Sequence, residues 1–280
     1  MGKFRVSERR ACRAVGQHRS TNRYVATPAD FETKLVERMI VLAEANPRWG
    51  YRTIHSILVE EGWAVNRKRV ERLWRLHHLQ VPPRKTKNSG QKGLGDDDNS
   101  IWRLPSLHPN HIWSYDFIKR RTSDGRPLRV LNVIDEYTRE SLGSLCARSI
   151  GARAVLAHLE RLFAEHGKPV LIRADNGREF IATELQLALS EQGVRAVFVA
   201  KASPQQNGFI ERFNGTMANE VFGMEVLHSV LEAQVVVDDW NYKFNRRRPH
   251  QSLGGKTPHA FAKMEKAQRA LLLRTSGGGG

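Results

Sequence analysis

The sequence of 280 residues is long enough for one substantial domain and a smaller one, and hydrophobic residues make up 40% of it, enough for a folded core. It contains no apolar run of about 18 residues, which excludes a membrane-spanning helix, and its basic N-terminus lacks the apolar stretch of a secretory signal. The two cysteines, Cys12 and Cys146, stand in no metal-ligand spacing, which argues against a disulfide framework or a CxxC zinc site. We therefore expect a soluble cytoplasmic protein with reduced cysteines.

The chain carries a formal net charge of +16, from 45 basic and 29 acidic residues. Such an excess favours a polyanionic partner, because neutralising phosphates releases their counterions. The charge is uneven, since residues 1–88 hold 19 basic and 8 acidic residues whereas the remainder holds 26 and 21. Charge alone fits a ribosomal or RNA-binding protein as well as a DNA-binding one, so it indicates only the class of partner.

Residues 1–81 are predicted to form a helical, helix-turn-helix-like DNA-binding region. Apolar residues recur at helical spacing over Phe31–Ala45 and Tyr51–Glu61, and Asn66 can cap a third helix. The polar side of this third helix is basic and holds the candidate DNA contacts Arg67, Lys68, Arg69, Arg72 and Arg75. Three short helices with a basic third one are typical of a helix-turn-helix module. An ordinary small bundle with a solvated basic face remains the alternative.

Residues 82–109 are predicted to be a flexible linker, because Pro82-Pro83 ends the helical pattern and glycines follow without periodicity. We interpret the run Asp96-Asp97-Asp98 as solvated, since adjacent carboxylates without a scaffold do not converge on one ion. Beyond the linker, strands are predicted at 113–119, 129–135, 141–147, 169–174 and 194–200, and helices at 152–166, 183–192 and 208–222. This order predicts an α/β fold, a mixed sheet with flanking helices.

Three acidic residues stand at positions that suggest chemistry. Asp116 lies inside an apolar strand, where a carboxylate is costly to bury unless it is paired or bound to metal. Asp175 follows another apolar strand and precedes a turn signal, which places it at the carboxyl end of the strand, where ligands bind in open α/β sheets. Glu211 lies between apolar side chains of a predicted helix. Taken singly, each is better explained as a cap or a solvated carboxylate.

The spacing of these acids and the motifs around them are more specific. Fifty-eight residues separate Asp116 from Asp175, and 35 separate Asp175 from Glu211. Recognisable motifs stand at Arg48–Arg52, Asn66–Val70, Trp113–Phe117, Arg129–Asp135, Asp175–Phe180, Pro204–Gly215, Trp240–Tyr242 and Arg248–Leu253. With these motifs the sequence resembles bacterial insertion-sequence transposases of the DDE type, whose catalytic core is shared with retroviral integrases. It most closely resembles the second-frame (OrfB) product of two-frame elements, over roughly residues 5–262.

The resemblance implies a ribonuclease H-like core, over residues 110–226, that cleaves DNA strands and joins them to new sites. It implies that Asp116, Asp175 and Glu211 hold two Mg²⁺ or Mn²⁺ ions, with Asp116 between them. A C-terminal helix and basic segment, 227–265, would pack on the core, and 266–280 would form a tail. The implied partners are element-end and target DNA, further copies of the chain on that DNA, and an OrfA protein or fused segment, all in the bacterial cytosol near the nucleoid.

Further DNA contacts are predicted from Lys201, Asn207, Arg212, Asn214, Arg248 and His250. Asn207 and Asn214 flank Glu211 and can orient it or contact DNA, although Asn207 can equally cap the helix. For Lys201 and Arg212, a solvated surface position is the equal alternative.

The chain departs from the family pattern on the helix that carries the catalytic glutamate. Many relatives have a basic residue about two turns after it, where this chain has Ala218, and Thr216 also stands where a basic residue is common. Ala218 counts slightly for one alternative to an active transposase, and a second alternative also stays open. One is a DNA-binding protein that kept the fold and lost catalysis, and the other is a structure-selective nuclease.

Overall fold

The computed structural model describes residues 6–23, 30–79, 81, 104–174, 183–198 and 207–276. Of the predicted site residues, Asp175 and Lys201 lie outside these ranges, as do Asp96-Asp97-Asp98 and most of the predicted linker. None of the described helices is both long and apolar enough to cross a membrane.

Five helices precede the sheet. They are α1 (Glu8–Ala14), α2 (Arg19–Arg23), α3 (Asp30–Ala45), α4 (Tyr51–Glu60) and α5 (Arg67–Leu76). The last three, which we call the helical module, bury one hydrophobic cluster that includes Leu35, Ile54 and Trp74. α5 begins where the Asn66 side chain accepts a hydrogen bond from the backbone N–H of Lys68 at 2.9 Å. The predicted cap is therefore confirmed.

A five-stranded sheet with flanking helices follows. The strands are β1 (Ile112–Arg121), β2 (Pro127–Asp135), β3 (Ser141–Ala147), β4 (Leu171–Ala174) and β5 (Arg195–Phe198). The helices are α6 (Ala152–His166), α7 (Thr183–Glu191), α8 (Gly208–Glu220), α9 (Val230–Arg246) and α10 (Pro258–Ser276). The strand order is β3-β2-β1-β4-β5, with β1–β2 and β2–β3 antiparallel and β1–β4 and β4–β5 parallel. This ribonuclease H-like arrangement confirms the predicted fold class.

The two faces of the sheet bury separate hydrophobic clusters, because side chains alternate along each strand. On β1, Trp113 and Tyr115 pack with residues of α6 and α7, whereas Ile118 packs with residues of α8 and α9. Asp116 lies two residues before Ile118 and so shares the face that α8 and α9 cover. The fold thereby places one candidate carboxylate beneath the helix that carries another.

α9 covers the outer edge of β3. The Asn245 side chain accepts a hydrogen bond from the backbone N–H of Ser141 at 2.8 Å and donates one to its carbonyl oxygen at 2.7 Å. Gln234 accepts from the backbone N–H of Cys146 at 2.8 Å and donates to the carbonyl oxygen of Ser144 at 3.1 Å. Backbone groups on an edge strand are otherwise a template for pairing with another chain. These two side-chain amides supply the bonds that a neighbouring strand would make.

The C-terminal helix differs from the expected tail. α10 crosses the boundary predicted at residues 265 and 266, because its first turns dock on the core and the helix continues beyond them. The Phe261 ring lies 5.8 Å from that of Tyr137, whose hydroxyl donates to Glu265 at 2.8 Å. These contacts hold the first turns of α10 against the core.

We expect the stability of the core to fall between pH 6.5 and pH 4 because of His158. Burial first, and then nearby Arg161, lowers the pKa of this α6 histidine from 6.5 to about 4. In that pH window the unfolded chain takes up a proton that the folded chain excludes, so acidification favours unfolding by on the order of 1–3 kcal/mol. Urea unfolding at pH 7 and pH 4.5 measures the effect. His158→Met should show a weaker pH dependence than the wild type, and an unchanged dependence would contradict the assignment.

Candidate active site

Asp116 sits in the middle of β1 and is half-buried. Its Oδ1 accepts a hydrogen bond from the backbone N–H of Phe117 at 2.7 Å, and its Oδ2 accepts one from the Asn214 side-chain amide at 2.9 Å. Asn132 stands directly opposite Asp116 on β2. The carboxylate is therefore held from two sides, as an acid in an apolar sheet requires.

Glu211 lies on α8, three residues before Asn214. Residues at this spacing share one side of a helix, so Glu211 projects one turn away from the contact between Asn214 and Asp116. The Glu211 side chain is exposed, and desolvation raises its pKa above the usual glutamate range. α8 itself is anchored by Ile210, Phe213 and Met217, which are all buried against the sheet.

The strand that precedes Asp175 in the sequence pairs with the strand that carries Asp116. β4 pairs in parallel with β1, with Arg173 opposite Ser114, and it ends at Ala174. Asp175 itself lies outside the described residues. Within the described part of the chain, no group of three or more histidine, cysteine or acidic side chains is arranged to hold a metal ion.

A buried ion pair fixes the end of β4. Arg173, which is 4% exposed, lies 3.2 Å from Glu136, and Glu136 also accepts a hydrogen bond from the Ser114 hydroxyl. Another nitrogen of Arg173 donates to the carbonyl oxygen of Leu104 at 2.9 Å. Two charges in such an environment are tolerated only when they are paired and fully hydrogen-bonded, so this cluster locks β4 to β1.

The predicted DNA contacts near Glu211 differ in their surroundings. Asn207 occupies the N-cap position of α8 but makes no side-chain capping bond, and its buried Oδ1 has no hydrogen-bond partner among the described residues. Arg212 is exposed. Ala218 is half-buried on α8, and the Thr216 hydroxyl donates to the carbonyl oxygen of Arg212 at 2.9 Å, so neither position supplies a cation.

Arg248 and His250 are both engaged within the fold. Arg248 forms a largely buried ion pair with Glu220 and stacks 5.7 Å from the Trp49 ring. The His250 ring packs 4.7 Å from Phe244. Burial, followed by Arg248 and two further arginines, lowers the pKa of His250 to about 4, so the ring is neutral at physiological pH.

The basic side of α5 is partly neutralised inside the helical module. Arg69 and Arg72 both contact Glu32 of α3, at 2.6 Å and 3.0 Å, and these arginines lower the pKa of that carboxyl. Arg75 pairs with Glu71 at 2.6 Å. Two more exposed candidates, Arg67 and Lys68, form no ion pair within the described part of the chain.

Comparison with known proteins places the chain in a family. Two family profiles described as "Integrase core domain" match residues 106–204 and 192–258, and one described as "HTH-like domain" matches 30–87. A 31.7 kDa protein of insertion element IS407 from Burkholderia multivorans is 33% identical over 95% of this chain and 94% of its own length. The chain belongs to the insertion-sequence transposases with an integrase core. The predicted resemblance is thus confirmed, and the two kinds of profile match the sheet and the helical module of this transposase.

Other similar proteins include a 39.2 kDa protein of insertion element IS476 from Xanthomonas euvesicatoria, 32% identical over 95% of this chain and 75% of the relative. The putative transposase InsK of element IS150 from Escherichia coli is 25% identical over 82% of each chain. Among solved structures, the HTLV-2 integrase catalytic core domain in complex with magnesium aligns with a TM-score of 0.46 at 18% identity, over 56% of this chain and 99% of that one.

Several polar residues around Asp116 escaped the sequence-based prediction. Asn132 and Ser144 lie on the same sheet face as Asp116, and Asn241 of α9 donates a hydrogen bond to Ser144. The available signal was that Asn132 interrupts the apolar strand Arg129–Asp135. A polar side chain at a fully buried strand position indicates a partner across the interface.

We predict that Arg67→Ala and Lys68→Ala each weaken binding to a non-specific DNA duplex. Each lost phosphate contact should reduce the slope of log affinity against log salt concentration by about 0.9. Fluorescence anisotropy at several salt concentrations measures this slope. Lys34→Ala, which removes a cation paired with Asp30 on α3, is the matched control and should leave the slope unchanged. Equal slopes for all variants and the wild type would remove the N-terminal end of α5 from the DNA interface.

Proposed function

We propose that this transposase cleaves DNA at the ends of its insertion sequence and joins the freed 3′ ends to new sites, using Asp116, Asp175 and Glu211. The observation that carries the proposal is the Asn214–Asp116 hydrogen bond, which draws the Glu211 turn of α8 against the strand that bears Asp116. Asp175 directly follows Ala174, the last residue of β4, and β4 is paired with β1. Three carboxylates from one strand, one strand end and one helix would then share a site.

The residues at this position suit a hard divalent cation. Asp116, Asp175 and Glu211 offer oxygen ligands, which Mg²⁺ and Mn²⁺ prefer, and two ions per site would match the three carboxylates. When bound, such ions activate an attacking oxygen and stabilise a departing one in phosphoryl transfer.

The protein's own part in the reaction is to position the DNA and to hold the reacting phosphodiester at the carboxylates. Its carboxylates would form one site that acts on two phosphodiesters in succession, the first at the element end and the second in the target. Water attacks first and frees a 3′-hydroxyl at the element end, and that hydroxyl then attacks a target phosphodiester and displaces another 3′-oxygen. Neither step needs a covalent link between protein and DNA.

A basic cleft of about 640 Å³ supports a path for DNA toward this site. It lies between the start of α4 and α8 and is lined by Arg52, Arg139, Arg212 and Arg248, whereas no acidic side chain lines it among the described residues. Arg212 neighbours Glu211 on α8. Because arginines attract phosphate and α4 belongs to the helical module, one DNA strand could contact module and core together.

We also propose that the active species contains more than one copy of the chain on DNA, since each copy offers one set of carboxylates and an element has two ends. An OrfA protein or fused segment would add end recognition.

We predict that Asp175→Asn or Glu211→Gln abolishes both cleavage and joining while DNA affinity stays within a few-fold, because the amides keep the shape and lose the metal-binding charge. Element-end duplex, target plasmid and Mg²⁺ or Mn²⁺ are incubated with each variant, and products are separated on denaturing gels. Joining by either variant would remove that residue from the site. A wild-type protein that yields only cut fragments is a nuclease, and one that retains DNA without any product is a binding protein.

We predict that Arg52→Glu and Arg212→Glu weaken binding of element-end DNA by roughly tenfold, because each reverses a charge in the basic cleft. Electrophoretic mobility shift at fixed salt measures the affinity. Arg153→Glu, on the exposed surface of α6, makes the same change of net charge outside the cleft and is the control. An equal loss of DNA affinity in all three variants would contradict the proposed path of DNA through the basic cleft.

A further inference from the structure

A row of polar side chains crosses the sheet beneath α8 and α9. Asp116 on β1 stands opposite Asn132 on β2, and Asn132 stands opposite Ser144 on β3. All three lie on the face where the surrounding strand residues, such as Ile118 and Cys146, are apolar. Asn132 is fully buried and Ser144 is 2% exposed. Burying polar groups in such a layer costs free energy unless they are hydrogen-bonded, so each residue of the row needs hydrogen-bond partners.

Two asparagines from the helices complete the row as a continuous chain of hydrogen bonds. The Asn241 amide of α9 donates to the Ser144 hydroxyl at 2.9 Å, and that hydroxyl donates to Asn132 Oδ1 at 2.6 Å. The Asn132 amide donates to Asn214 Oδ1 at 2.7 Å, and the Asn214 amide of α8 donates to Asp116 Oδ2 at 2.9 Å. At the far end, the Ser141 hydroxyl donates to Asn241 Oδ1 at 2.9 Å.

In every hydrogen bond of this series the acceptor lies on the side nearer Asp116. The charge of the Asp116 carboxylate explains this common direction. An ionised carboxylate only accepts hydrogen bonds, so Asn214 must turn its Nδ2 toward Asp116 and its Oδ1 toward Asn132. Asn132 must then meet that oxygen with its own Nδ2 and expose Oδ1 to the Ser144 hydroxyl. The same requirement passes to Asn241. One acid therefore sets the orientation of three amides and two hydroxyls, and those groups in turn fix the acid.

We propose that Asn132, Ser144 and Asn241 are positioning residues that hold the Asp116 carboxylate in the orientation a divalent cation requires. This inference rests on the proposed function, because it takes Asp116 to be a metal ligand. It assigns α9 a part in the active site although α9 supplies no ligand. Groups that hydrogen-bond to metal ligands orient them, and removing such a group weakens metal affinity or activity by about 10- to 100-fold.

The test measures Mn²⁺ binding to the full-length protein without DNA, from the electron paramagnetic resonance signal of free Mn²⁺. Asn214→Ala removes the group in contact with Asp116 and should weaken binding by about 10- to 100-fold. Ser144→Ala acts two bonds further away and should weaken it by roughly three- to tenfold, less than the direct contact does. Ser144→Thr keeps the hydroxyl and should restore most of the affinity. The Mn²⁺ concentration that half-saturates DNA nicking should shift in parallel.

Gln234→Ala is the matched control. Gln234 joins the same helix α9 to the same strand β3, through backbone atoms of Ser144 and Cys146, but lies outside the chain that reaches Asp116. It should lower the melting temperature and leave Mn²⁺ affinity unchanged. Equal loss of Mn²⁺ affinity in Gln234→Ala and Ser144→Ala would mean that packing of α9, rather than the hydrogen-bond chain, is responsible, and the proposal would be overturned.

Asn241→Ala alone is the second check, should Ser144→Ala fold poorly by circular dichroism, and it should also weaken Mn²⁺ binding by roughly three- to tenfold. Asn241→Ala acts through the same chain, so its effect on Mn²⁺ affinity and that of Ser144→Ala should not add in the double variant. Wild-type Mn²⁺ affinity in both Asn241→Ala and Ser144→Ala, alongside lost binding in Asp116→Asn, would refute the positioning role alone. Wild-type affinity in Asp116→Asn would instead refute the proposed metal site.

Discussion

The hydrogen bond from Asn214 to Asp116 joins the two parts of the fold on which the site depends. β1 is central in the sheet and cannot move without its neighbours, whereas α8 is attached through one apolar face and could in principle slide along it. The Asn214 amide selects one position of α8, because only there does it reach both the Asp116 carboxylate and the Asn132 amide. The position of Glu211 follows from this choice, since it lies one turn away on the same helix.

The surrounding core gives this bond its strength. Apolar residues of β1, β2, α8 and α9 exclude water from the interface, and hydrogen bonds between polar groups are stronger in such an environment. On the same face of the sheet, nearer the start of β1, the buried pair of Arg173 and Glu136 ties β4 to that strand through the Ser114 hydroxyl. Both α8 and β4 are thus held rigidly against β1, as electrostatic preorganisation of a phosphoryl-transfer enzyme requires.

Much of the fold could be predicted from local patterns, whereas the supporting contacts of the site could not. Apolar alternation and helical spacing gave nearly every strand and helix of the core, and spacing with motif context indicated Asp116 and Glu211. The sequence carries no comparable signal for Ser144 or Asn241, because their meaning depends on the register of β3 and on the docking of α9. Glu32 likewise looks like an ordinary surface acid until the module brings it to Arg69 and Arg72.

The covering of β3 by α9 has a consequence for how the chain is made. β3 is complete by residue 147, but Gln234 and Asn245 are synthesised almost a hundred residues later. During translation the sheet therefore presents an uncovered border that can recruit a strand from another nascent chain. Protection arrives only when α9 leaves the ribosome, so products truncated before α9 should be prone to aggregation even where their sheet is intact.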